Sequence, residues 1–284
     1  MLKLIECPRD AMQGIKEMIP TELKVEYINQ LLKVGFDTID FGSFVSPKAI
    51  PQMADTHTVI KSLDFKNSKS KLLAIVANRR GAEEAAAYEA IQYLGYPFSI
   101  SETFQMRNTN STIAESIERV KEIQWICAAT GKKLVIYVSM GFGNPYGDPW
   151  NVQIAQQWVD ELAELGIRII SLSDTIGVSS PESIHYLFSN LIPPYPDVEF
   201  GAHLHTTPTT WREKIKAAWE GGCKRFDGAL LGKGGCPMAK DELTGNMPME
   251  KMIYYFDDLD VELKMEWKAL RKSINLADKV FLYH

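Results

Sequence analysis

Apolar positions fall into two alternating patterns along the chain. Short runs are almost continuously apolar, as in Leu-Leu-Ala-Ile-Val-Ala at 72–77 and Lys-Leu-Val-Ile-Tyr-Val at 133–138. Such runs suit parallel strands covered on both faces. Between them lie longer stretches in which apolar residues recur at helical spacing. The first pattern predicts strands over 3–7, 38–42, 72–78, 97–101, 134–140, 167–174, 199–205 and 225–231. The second predicts helices over 21–34, 57–62, 82–94, 113–130, 151–165, 181–190, 209–220 and 249–256, with an additional helix within 261–283. Gly35, Gly131 and Gly166 stand where helices end and left-handed backbone is favoured. Thr21 is the expected cap of the first helix, with Lys24 rather than Glu at the third position, so no capping box forms. Trp125, Trp158 and Trp219 fall in helical stretches and are expected to pack inward.

Alternating strand–helix units of this kind predict an α/β fold, a (β/α)8 TIM barrel with an additional C-terminal helix. The chain has 284 residues, against about 250 for a typical barrel. With no Pro/Gly/Ser linker or close repeat, one domain over 1–284 is expected. The fold carries an expectation about chemistry, since barrel active sites lie at C-terminal strand ends and in the loops that follow.

Composition narrows the partners. The net charge is −5, with 45% hydrophobic and 24% charged residues. Without a Lys/Arg block there is no footprint for nucleic acid. No apolar run approaches the roughly 20 residues that span a bilayer, so a membrane span is not expected. The four cysteines show no CxxC pair, which disfavours a disulfide framework or structural zinc and suits a reducing compartment. Three of them, Cys7, Cys127 and Cys223, read as packing residues. The N-terminus runs straight into a strand without a signal or transit pattern, so a cytoplasmic location is expected.

Unusual polar residues collect at the predicted strand ends. In His203-Leu204-His205, residues two apart on a strand face one side. They are either satisfied rim histidines or a pair of nitrogen ligands. With Asp10 as an oxygen partner at another strand end, the set suits Mg²⁺ or Mn²⁺. Arg9-Asp10 is either a surface ion pair or, directly after the first strand, a cationic fork for a developing oxyanion beside a metal-binding carboxylate. The segment 43–55 carries Pro47 and Pro51 and is a stiff loop, whether for packing or for function. In Gly232-Lys233-Gly234-Gly235-Cys236 the glycines allow either mobility or a close backbone approach. Cys236, set in that loop, is the one cysteine with a candidate chemical role. His57, His185 and His284 have no evident partner.

Together these residues resemble 3-hydroxy-3-methylglutaryl-CoA (HMG-CoA) lyase, within the wider group of metal-dependent barrel lyases and Claisen-type synthases. The strongest block is Ser43-Phe44-Val45-Ser46-Pro47-Lys48 with Pro51-Gln52-Met53 and Asp55. Pro8-Arg9-Asp10 with Gln13, Asp174-Thr175-Ile176-Gly177-Val178, His203-Leu204-His205 and Gly234-Gly235-Cys236-Pro237 agree in order and spacing. The resemblance runs from about residue 4 to about residue 252. It implies a barrel that uses a divalent metal (Mg or Mn) to cleave an acyl-CoA thioester to acetyl-CoA and acetoacetate, in leucine and ketone-body metabolism. It implies Asp10, His203, His205 and Asn246 as metal residues, and Arg9, Asp10, His203 and Cys236 as catalytic ones. It further implies Gln13, Asp40, Ser43, Asp174 and Thr175 as substrate contacts, and a homo-oligomer, a dimer.

The chain also departs from the family pattern. The family has Asp-Gly-Leu-Gln where this chain has Asp10-Ala11-Met12-Gln13. The family's strand-one acid lies four residues before the Arg, where this chain has Ile5, with Glu6 one place later. Asp40 stands for a family Glu, Thr206-Thr207-Pro208 replaces an Asp-Thr after the second His, and the run from Cys236 to Asn246 is one residue longer. These changes fit either the same reaction on a divergent branch or a related 3-hydroxyacyl-CoA. Other readings are a 2-oxo-acid aldolase or condensing synthase, against which the 43–55 block argues, and a barrel that binds the CoA ester without turnover.

Overall fold

Eight parallel strands close into a ring: β1 (Lys3–Glu6), β2 (Thr38–Ser43), β3 (Lys71–Ile75), β4 (Ile91–Ser99), β5 (Lys133–Ser139), β6 (Ile169–Asp174), β7 (Glu199–Thr206) and β8 (Arg225–Gly228). Each pairs with its neighbour in sequence, and β1 pairs with β8 to close the barrel. The computed structural model describes residues 1–235 and 244–282. Helices cover the ring: α1 (Pro8–Gln13), α2 (Thr21–Leu31), α3 (Thr56–Lys61), α4 (Arg79–Ala86), α5 (Glu102–Thr109), α6 (Ile113–Thr130), α7 (Val152–Glu164), α8 (Pro181–Leu191), α9 (Trp211–Glu220), α10 (Met249–Asp258) and α11 (Trp267–Val280). The expected (β/α)8 barrel with a C-terminal helix is therefore the observed fold.

Strand alternation sorts the core. Leu72 and Ala74 face the helices and join the large outer core. Leu73 and Ile75 face inward and join Tyr93, Val135, Tyr137 and Ile169 inside the ring. Helix boundaries follow local signals in places: Thr112 and Glu115 form a capping box on α6, and Gly131 ends it in left-handed backbone at φ 69.

Several elements differ from expectation. The predicted helix 82–94 ends at Ala86, and β4 starts at Ile91, six residues before the predicted 97. Gly95 and Pro97 lie inside β4, and both normally argue against a strand. Here a Cβ on Gly95 would sit 2.6 Å from Ile75 Cδ1, so the barrel interior accepts only glycine there. The C-terminal helix starts at Trp267, because 261–266 alternates polar and apolar residues and runs extended, with Glu266 N bonded to Val34 O at 2.8 Å. Gly35, at φ 99, lets Lys264 O approach to 2.5 Å of where its Cβ would be. β8 stops at Gly228 rather than 231. Thr21 is the first residue of α2 rather than its cap, and its hydroxyl donates to Asp55 at 2.8 Å. Trp158 and Trp219 pack as expected, but Trp125 is 66% exposed, on the solvent side of α6. Among the described residues no helix is long and apolar enough to cross a membrane.

Candidate active site

The site is built at the C-terminal end of the ring. Pro8 sits at the first position of α1, where its missing N–H costs nothing. The single helical turn that follows brings Arg9, Asp10 and Gln13 to one side, at the i, i+3 and i, i+4 spacings of neighbours. Arg9 Nη1 donates to Asp10 Oδ1 at 2.9 Å and to Gln13 Oε1 at 2.8 Å. Its Nε donates to Asp40 at 3.0 Å, and Nη2 also donates to Asp40. Asp40 lies beside a β-bulge in β2, between Asp40 and Gly42, which re-aims the strand at this point. Of the five N–H donors of a guanidinium, one on Nη2 has no acceptor among the described residues and can meet a ligand.

His203 and His205 project inward from β7, their ring centroids 5.5 Å apart. His205 Nδ1 donates to Thr175 O at 2.8 Å, which leaves Nε2 as a lone pair. That Nε2 is buried and has no partner among the described residues. His203 Nδ1 bonds to Asp227 Oδ2 at 3.2 Å. Asp10, His203 and His205 each offer a ligand atom within 4.8 Å of the others. Two imidazole nitrogens and a carboxylate oxygen, one nitrogen an orphan, fit a divalent cation. A second set, Cys7, His203 and Asp227, lies as close together and shares His203.

Asn246 reaches the same place through a short strand that the periodicity did not reveal. β9 (Gly245–Asn246) pairs antiparallel with β7, His205 opposite Asn246. Asn246 Nδ2 donates to Asp10 Oδ2 and to Lys233 O, each at 2.8 Å. Its amide nitrogen is thereby spent, and the carbonyl oxygen remains. Gly234, at φ 80, explains the glycine loop: a Cβ there would lie 2.7 Å from Ala11 Cα and 2.9 Å from Asp10 O. The loop after β8 therefore closes on Asp10 by backbone contact, the second of the two expected uses of those glycines.

Charge within the site is set by these contacts. Burial alone would raise the Asp10 carboxyl, but Arg9, His203, His205 and the Asn246 amide hold it down at about 2. Burial works against the charge of Arg9, and Asp40 and Asp10 more than offset it. Burial, with His203 close by, lowers His205 below the usual imidazole range, so the ring stays neutral.

A cavity of about 260 Å³ opens over these groups. Arg9, Asp10, Gln13, Thr175, His203 and His205 line it, against an apolar wall that includes Val45 and Ile50. Three expected substrate residues do not line it. Asp40 is turned to Arg9, and Ser43 Oγ accepts from Val45 N at 3.2 Å. Asp174 is fully engaged elsewhere: it accepts from Val178 N at 2.8 Å, from Ser179 and from Lys214 Nζ at 2.7 Å. A buried carboxylate pairs with a buried ammonium there, and the pair holds the loop after β6 in place. Cys236 lies outside the described residues. The 43–55 block lends Val45 and Ile50 to the cavity wall, while its polar residues Gln52 and Asp55 act as a brace. Gln52 bonds Ile19 N, Ile15 O and Glu17 O, and Lys24 pairs with Asp55 at 2.9 Å. Asp227 belongs to none of the motifs above. The available signal was its place two residues after Arg225, on the inward face of β8.

Glu6 faces away from this site. It shares the outward side of β1 with Leu4, and its Oε1 accepts from Leu230 N at 3.0 Å, while Ile5 turns inward. Burial pushes its carboxyl well above the usual range. The folded state then holds a proton that the unfolded chain releases, so stability falls as pH rises above the unfolded Glu value. Glu6→Gln is expected to retain activity and to gain melting temperature over the wild type progressively as pH rises above the unfolded Glu value. Thermal melts across that range check this, and loss of turnover would instead place Glu6 in the reaction.

A parallel α/β barrel whose mouth gathers a guanidinium, a carboxylate and two imidazoles defines a barrel enzyme suited to stabilising an enolate beside a bound cation. The HMGL-like family model matches residues 3–277, and the chain belongs to that family. It is 31% identical to the hydroxymethylglutaryl-CoA lyase of Bacillus subtilis over 93% of this chain and 87% of that protein. It is 29% identical to the (R)-citramalyl-CoA lyase of Chloroflexus aurantiacus, over 93% and 85%. The structure of an HMG-CoA lyase from Acinetobacter baumannii with coenzyme A and 3-methylmalate superimposes with a TM-score of 0.90, at 29% identity, over 99% of this chain and 91% of that one. The chain is thus an HMG-CoA lyase-like carbon–carbon lyase.

Proposed function

We propose that this enzyme cleaves HMG-CoA to acetyl-CoA and acetoacetate with the help of Mg²⁺ or Mn²⁺. The observation that carries the reading is the orphaned Nε2 of His205 beside His203 and Asp10, next to a guanidinium with one free donor over a cavity. Asp10, His203 and His205 would hold the ion, with the Asn246 carbonyl oxygen as a fourth ligand. A bound divalent ion orients a hydroxy acid and lowers the pKa of its hydroxyl.

The protein's own groups do the rest. The hydroxyl proton leaves to the Asp10 carboxylate, since both histidines would spend their Nε2 lone pairs on the ion. As the C2–C3 bond breaks, its electrons pass to the thioester, the hydroxyl carbon becomes the ketone of acetoacetate, and negative charge develops on the thioester oxygen. Arg9 meets that charge with its remaining Nη2 N–H, held in place by Asp40 on one edge and by Asp10 and Gln13 on the other. Protonation at carbon then gives acetyl-CoA. Thr175 fixes His205 through its carbonyl and Met140 N through its hydroxyl, at 2.9 Å. Cys236 is the loop residue we assign to that last proton transfer.

Similarity to the (R)-citramalyl-CoA lyase favours one second reading, a related 3-hydroxyacyl-CoA. The two are separated by measuring kcat/KM for HMG-CoA and (R)-citramalyl-CoA under the same conditions. The proposal expects the larger value for HMG-CoA, and the reverse order would transfer the assignment.

A further inference from the structure

Below the groups that face the cavity, the barrel interior holds polar atoms that the reaction above does not use. Asp227 is 2% exposed, and the one partner of its carboxylate among the described residues is His203 Nδ1. Its other oxygen, Oδ1, is buried without a partner. Arg225, two residues earlier on the same inward face of β8, is 1% exposed. Its Nη1 donates to Glu199 at 3.1 Å, while Nε and Nη2 are buried without a partner. Strand alternation thus stacks a guanidinium, a carboxylate and an imidazole along the barrel, with His203 and Asp227 in register across β7 and β8.

A carboxylate in this place can balance the buried charge of Arg225 or can set the orientation of His203. The contacts favour the second, because no direct hydrogen bond joins Asp227 to Arg225, whereas one joins it to His203. His205 follows the same plan, its Nδ1 donating to Thr175 O. We infer that Asp227 is a positioning residue: it accepts the hydrogen bond of His203 Nδ1–H and turns the Nε2 lone pair toward Asp10 and His205. This rests on the reading of Asp10, His203 and His205 as an ion site.

The test is Mn²⁺ titration by calorimetry of the metal-stripped full chain, with thermal melts of each variant. Asp227→Ala is expected to bind Mn²⁺ about 10–100-fold more weakly, the usual cost of losing a group that orients a ligating histidine. It will also melt lower, since Arg225 then keeps only Glu199 to balance its buried charge. The double variant Arg225→Met/Asp227→Ala is expected to recover the melting temperature but to bind Mn²⁺ as weakly as the single variant. Cys7→Ala is expected to bind as the wild type does. Unchanged affinity in Asp227→Ala would overturn the inference, as would recovery of affinity together with stability in the double variant, which would mark Asp227 as charge balance only. An equal loss in Cys7→Ala would place the ion deeper, with Asp227 as a ligand, and would also overturn it. Failure of the wild type to bind Mn²⁺ at all would remove the ion site itself and this inference with it.

Discussion

Arg9→Gln is expected to lower kcat by about 10²–10³-fold, the cost of deleting one oxyanion-stabilising donor, with little change in KM. The guanidinium is held on two edges, by Asp40 on one and by Asp10 and Gln13 on the other. It cannot swing to find a substrate oxygen; the oxygen must develop where its free N–H already points. Such a donor acts on charge that exists only as the bond breaks, so its loss appears in kcat and in kcat/KM alike. Arg9→Lys is expected to fall nearly as far, since a point charge cannot form the paired contacts with Asp40 and still address the cavity. Steady-state kinetics at saturating Mn²⁺ check both, because removal of Arg9 also frees the Asp10 carboxyl to rise. A wild-type kcat in Arg9→Gln would remove the residue from the reaction.

Chelation is the second large effect. Treatment with EDTA is expected to take turnover to background, and Mg²⁺ or Mn²⁺ to restore it. His205→Ala is expected to weaken the ion by at least the roughly 100-fold that loss of a supporting group alone can cost. The reason is local: His205 offers a neutral, buried nitrogen with no partner among the described residues, and Asp10 stays ionised to about pH 2. The apo site is already in the protonation state that a cation needs at these two ligands. Activity measured before and after metal removal, and a Mn²⁺ titration of His205→Ala, check this. Full activity in EDTA would contradict a metal-assisted reaction.

The barrel was legible because its strands are short, apolar and separated by clear helical stretches. The exception, β4, hid its first half behind Gly95, whose fitness for a strand depends on how little space Ile75 and Tyr137 leave inside the ring. The site was legible where one strand carries it: His203-Leu204-His205 needs only the two-residue period to place both rings together. Asp10 and Arg9 followed from their position after β1. Asp174 does not line the cavity, and sequence cannot show that Lys214, 40 residues on, takes its carboxylate. Asp227 and Arg225 stayed unseen for the same reason, since their meaning comes from register across β7 and β8. The segment 43–55 carried the resemblance most strongly, yet its conspicuous Gln52 and Asp55 brace the loop through Ile19, Lys24 and Thr21 rather than touch the cavity.

The most direct test of the account is product analysis after incubation of the full chain with HMG-CoA and Mn²⁺. Equal amounts of acetyl-CoA and acetoacetate are expected, with none formed in EDTA. Release of free coenzyme A with an intact six-carbon acid would reveal thioester hydrolysis instead, and would contradict carbon–carbon cleavage at this site.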